Sequence, residues 1–161
     1  MIKNDDGLTL IELIVSITII TIVLGAILSF MITGSNSYKK EKEAVNLQTE
    51  AQFILNQLDD LLIEANYVKF NQVDKKLIIY QSGITYEITY EIDKLYFRKQ
   101  TLTDVGTKSI LGEYVSDFYV DTSNLTTDNT ILVKLSLEQG KSTYAMSSKV
   151  VLRNEVINPE D

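Results

Sequence analysis

Residues 13–33 carry no charged side chain, and Glu12 stands directly before them. At about 1.5 Å per helical residue this run spans about 30 Å, the hydrocarbon thickness of a bilayer. A chain with such a run has to bury it in lipid or against other helices. A carboxylate at its edge costs roughly 2–3 kcal/mol if it sits deep, so an ionisable group there marks function by default. A cleaved secretory signal has a different grammar. Its apolar core is about 7–15 residues, with a basic stretch before it and a small-residue cleavage site after it. Here the preceding segment, MIKNDDG, has one Lys and two Asp, and Lys39, Lys40 and Lys42 follow the run. Counted alone, those charges place the leader outside the membrane.

The remaining chain is enough for one small domain. Its 161 residues have a net charge of −7, a poor general trap for nucleic acid, so no direct nucleic-acid binding is expected. There is no Cys, so the domain rests on packing alone. There is no His, which removes His-based catalysis and most zinc sites.

From Ala44 a new pattern begins. Ala44, Leu47, Ala51, Ile54, Leu58, Leu61 and Ala65 recur at spacings of 3 and 4, with polar residues between them. That is the apolar stripe of an amphipathic helix. No proline interrupts residues 8–65, so one helix is expected to run through both patterns, with a soft joint at Gly34, Ser35, Asn36 and Ser37. After Asn66 the period becomes two. Ile84, Tyr86, Ile88, Tyr90 and Ile92 fall on one face of a half-buried strand, and residues 131–137 and 144–152 repeat the alternation. Shorter strands are expected at 67–73, 77–81, 95–99 and 114–121. Turns are expected at 74–76, around Gly83, at 93–94 and at 139–142, with long loops at 101–109 and 122–129. The predicted fold is α+β: a long helix, transmembrane and then amphipathic, packed on a meandering antiparallel β-sheet.

Three clusters compete for chemistry. Asp59, Asp60 and Glu64 lie on the polar side of the stripe, which reads as a solvated face. Asp121, Ser123, Asn124, Thr126 and Asp128 offer oxygen ligands, but they lack the glycine and terminal glutamate of a calcium hand. The strand tyrosines read as cross-strand packing. With no nucleophile–base pair, phosphate loop or metal cluster, no catalytic residue, cofactor or metal is expected, and the chain is not read as an enzyme.

The string Gly7, Leu8, Thr9, Leu10, Ile11, Glu12 at the head of the apolar run resembles the class III signal of type IV prepilins and type II secretion pseudopilins. The post-membrane helix, the block 86–98 and the closing residues 150–154 are similar to PilW-like minor pilins and J-type pseudopilins. The resemblance implies cleavage between Gly7 and Leu8 by a prepilin peptidase on the cytoplasmic side. The same enzyme methylates Leu8. Glu12 then sets subunit register by pairing with the amino terminus of a neighbour.

It also implies five segments: leader 1–7, transmembrane and filament-core helix 8–33, amphipathic half 34–66, sheet head 67–154 and polar tail 155–161. The implied function is that of a minor pilin at or near the tip of a type IV pilus, where it helps to start assembly. The implied partners are the prepilin peptidase and methylase, other major and minor pilins, an inner-membrane assembly platform, and membrane lipid before assembly. The implied location is a single-pass cytoplasmic-membrane protein that later joins a cell-surface pilus. A competence or secretion pseudopilus component, a non-pilin anchored binding domain and, more weakly, an anchored enzyme remain the alternatives.

Overall fold

A computed structural model describes residues 9–154. The chain divides into two compact units, residues 1–41 and 42–161. Helix α1, Leu10–Ile63, is unbroken for 54 residues and contributes to both. It passes through Gly34, Ser35, Asn36 and Ser37 without interruption, so the expected joint is helical.

In the first unit the large apolar side chains from Leu10 to Ile32 are 49–81% exposed. By length and composition, α1 is the one helix among the described residues able to cross a membrane. Its hydroxyls do not oppose that environment. Ser16 donates to the Glu12 carbonyl at 2.7 Å, Thr18 to Ile14 at 2.8 Å, and Ser29 and Thr33 to Gly25 and Ser29 at 2.9 Å. Thr21 donates likewise to Ile17. Hydroxyls satisfied on their own helix do not need water, which hydrocarbon cannot supply.

In the second unit the stripe of α1 is covered by strands. Five of them, β1 (Tyr67–Asn71), β2 (Lys76–Gln81), β3 (Ile84–Glu91), β4 (Lys94–Gln100) and β5 (Ser109–Gly112), form one antiparallel sheet in chain order. β6 (Val115–Asp121), β7 (Thr130–Gln139) and β8 (Ser142–Val151) form a second, with the short helix α2 (Leu125–Asp128) between β6 and β7. The α+β architecture with an antiparallel meander is the expected one, and it is consistent with a pilin-like fold. The meander is split in two. The ladder stops after β5, where Tyr114 takes φ 61, and Val115 instead donates to the Asp93 carbonyl at 2.9 Å. Ends of the first sheet therefore abut β6. Phe70 packs edge-on against Phe118 at 5.8 Å, and Tyr90 donates to the Ser116 carbonyl at 3.3 Å.

One core joins the sheets to α1: Leu47, Ala51, Ile54, Leu55, Leu58 and Leu62 meet Leu77, Ile79 and Ile88 from one sheet and Phe118, Val133, Leu135 and Leu137 from the other. Burying each such side chain is worth about 1.5–3 kcal/mol. The stripe is rotated slightly from the predicted one. Leu55 and Leu62 are buried, Leu61 is half-buried, and Ala44 is exposed. Gly112 is required where β5 crosses α1, since a Cβ there would strike the Ile54 side chain.

Several boundaries differ from expectation. β1 ends at Asn71, whose side-chain Oδ1 accepts the Val73 N–H at 2.9 Å and turns the chain early. Ile92 is not on the inner face of β3. It is 89% exposed and, with Asp93, forms a two-residue turn at φ 43 and 61 before β4 begins at Lys94. β5 lies between the loop expected at 101–109 and the strand expected at 114–121, where no separate strand is expected.

Candidate functional site

The chemistry of the N-terminal string begins with its last residue. α1 starts at Leu10, so Thr9 is its N-cap and Glu12 its third helical residue. The Thr9 N–H donates to Glu12 Oε2 at 2.9 Å, and the Thr9 hydroxyl donates to the same oxygen at 2.8 Å. The Glu12 N–H lies 3.4 Å from Thr9 Oγ1. This is a capping box, in which Thr and Glu satisfy each other's orphan backbone donors at a helix start. The spacing Thr-x-x-Glu is visible in the sequence as that motif, whereas the family resemblance implies only an intersubunit role for Glu12. Both uses are compatible. The box occupies Oε2, and Oε1 makes no hydrogen bond among the described residues. A carboxylate in the first helical turn also faces the positive end of the helix dipole.

Gly7 and Leu8 lie outside the described residues. The geometry therefore bears directly on Glu12 among the three predicted site residues.

The competing clusters behave differently from one another. Asp59 does not belong to a solvated face. It is half-buried between α1 and β8, and its Oδ2 accepts the Ser148 hydroxyl at 2.6 Å. Its Oδ1 is buried without a hydrogen-bond partner among the described residues. Burial pushes its carboxyl above the usual carboxylate range, against the pull of the Ser148 bond. Sequence reasoning missed this because Asp59 lies one helical position from the stripe, at its flank. Asp60 is exposed as expected, and Glu64 accepts a side-chain bond from Gln81 at 2.6 Å.

In the segment 121–128, the Asp121 carboxylate accepts the Ser123 N–H at 3.0 Å, and that bond holds it below its ordinary range. Leu125–Asp128 then turns into α2. This is the geometry of a local turn that organises itself. On the outer face of the first sheet, Lys76 pairs with Glu87 at 2.9 Å and Lys108 with Glu91 at 2.5 Å, so a groove there is lined largely by charges that answer one another.

A family model for the prokaryotic N-terminal methylation motif matches residues 2–28. The match takes in Gly7, Leu8, the Thr9–Glu12 box and most of the charge-free run. It supports the type IV pilin and pseudopilin superfamily, and with the single apolar N-terminal helix it fits an N-anchored membrane protein. That motif implies processing by a prepilin peptidase and assembly with other pilins. No curated protein and no solved structure matches the chain.

Proposed function

We propose that this chain is a minor pilin of a type IV filament, stored in the cytoplasmic membrane, cut after Gly7, methylated at Leu8 and assembled at or near the filament tip. One observation carries the reading: a methylation motif sits at the head of a helix whose apolar side chains are uncovered from Leu10 to Ile32. An apolar surface of that length has two reasonable destinations, lipid and the apolar helices of other subunits, and a pilin uses them in turn. Cleavage at Gly7 creates a cationic amine at Leu8 close to the membrane. A carboxylate is its natural partner, because charges persist in low dielectric only when paired. Glu12 keeps an oxygen for such an amine on a neighbouring subunit while its other oxygen caps its own helix. The sheet head supplies the surface that meets partner pilins, and the chain performs no catalysis.

Gly7 has no side chain to obstruct a peptidase. Gly7→Val in the native host tests the processing step: we expect precursor to accumulate uncut. Mature protein of normal size from that variant would contradict the assignment.

A further inference from the structure

A sheet edge left unpaired is a template for another strand, and proteins usually blunt such edges. Three of the four edges here are blunted. β1 has five residues, one of them Lys69. β5 has four, with a register shift at Leu95 and Tyr96. β6 is irregular at Val115 to Asp117 and is met by the first sheet through Asp93, Tyr90 and the Lys75–Asp117 ion pair. β8 is different. It is ten residues long and pairs with β7 without a bulge.

The register says which groups its edge presents. Gly140, at φ 63, opens a two-residue turn that closes on Gln139 and Ser142. Residues flanking such a turn form a hydrogen-bonded pair, and the pairing then alternates. Ser142, Tyr144, Met146 and Ser148 thus bond to β7, while Thr143, Ala145, Ser147 and Lys149 aim their N–H and C=O groups away from the sheet. The same alternation on β7 sends the Glu138 N–H outward to the Tyr114 carbonyl at 2.7 Å, in agreement. The outward backbone groups of β8 make no hydrogen bond among the described residues, and those four residues are exposed.

We propose that β8 is an acceptor edge for an extended segment of a different polypeptide, which adds to the second sheet as a fourth strand. One feature describes that segment. Tyr144 and Met146 face the helix side yet are only half-buried, so the segment carries apolar side chains on that face. A second copy of this chain fits less well. β8 runs along α1 in the same direction, with Ser142 bonded to Glu43 and Ser148 to Asp59. Antiparallel self-pairing of two β8 strands would run residues 43–59 of the two helices in opposite directions, while both chains enter the membrane through the N-terminal part of that helix.

The edge stands independently of the filament reading and is tested without it. Tagged full-length protein is pulsed with deuterium in native host membranes and, separately, after purification in detergent. We expect the amides of Thr143, Ala145, Ser147 and Lys149 to exchange rapidly in detergent and about tenfold or more slowly in membranes. The amides of Tyr144 and Met146, bonded to β7, should be slow in both. Ser147→Pro removes an outward donor but no β7 bond, and should abolish the membrane-dependent protection at Thr143, Ala145 and Lys149 while Tyr144 and Met146 stay slow. Equal rates in the two preparations would overturn the proposal. So would protection already present in purified chain, which assigns the edge to residues 155–161, or protection that grows with chain concentration alone, which assigns it to a second copy.

Discussion

Glu12 holds Thr9 twice through one carboxylate oxygen, at 2.9 Å from the backbone N–H and 2.8 Å from the hydroxyl. A residue proposed to serve a neighbouring subunit thus already serves its own helix. The two duties respond differently to substitution. Glutamine completes a capping box as glutamate does, whereas alanine does not. Charge pairing needs the glutamate.

Glu12→Gln should therefore keep the helix start and still impair incorporation into filaments, with cleavage unaffected. Glu12→Ala should impair incorporation at least as much and also lose the cap it makes with Thr9. The measurement is the ratio of filament-bound to membrane-bound mature protein. Full incorporation of the Gln variant would reduce Glu12 to a capping role.

The Asp59 carboxyl is raised by burial, and the sign of its effect on stability follows. Its native form holds a proton over a window that begins at the unfolded value, about 3.9, and extends upward. The parent thus gains stability from this group as pH falls through that window, and the ionised carboxylate costs stability at neutral pH. Asp59→Asn removes the titration. Unfolding of both proteins at pH 7 and pH 4 should show the variant faring better relative to the parent at pH 7 than at pH 4. A difference that does not change with pH would contradict the burial of this group.

Ile92 occupies a left-handed turn position at φ 43, where a β-branched side chain is strained. Asparagine tolerates that region. Ile92→Asn should stabilise the sheet domain by about 1 kcal/mol, a rise of roughly 4 °C in Tm. An unchanged or lower Tm would show that the turn carries no strain.

Leu58 is fully buried under both sheets, while Leu24 is 52% exposed on the apolar half of α1. Leu58→Ala should destabilise the sheet domain by about 2–5 kcal/mol. Leu24→Ala should leave its denaturant midpoint in detergent unchanged. Equal midpoint shifts for the two variants would refute the division of α1 into a lipid-facing and a sheet-facing part.

What could be read without coordinates was whatever acts locally. The charge-free run, the 3–4 spacing from Leu47 to Leu58 and the alternation of β3, β7 and β8 each follow from a residue's own periodicity, and the elements appear where those periods lie. Errors cluster where distant segments decide. β5 is held by β4 and by Glu50, whose Oε1 accepts the Glu113 N–H at 3.0 Å from far along the chain. The split of the meander depends on Asp93 taking the Val115 N–H. Asp59 is polar and flanks the stripe, so its burial depends on Ser148 of the last strand. Ile92 continues the alternation of β3 perfectly, and only the tight pairing of Glu91 with Lys94 forces it out into the turn. At the N-terminal site the motif residues were legible as a string, but the cap that Thr9 makes with Glu12 required geometry to separate it from the membrane role.

The central claim is that Leu8 becomes a methylated amino terminus. Intact-mass and N-terminal peptide mass spectrometry of the protein from its native host measures this directly. The account predicts a chain beginning at Leu8 with one added methyl group on its amine. A chain still beginning at Met1, or one cut at any other bond, would contradict it.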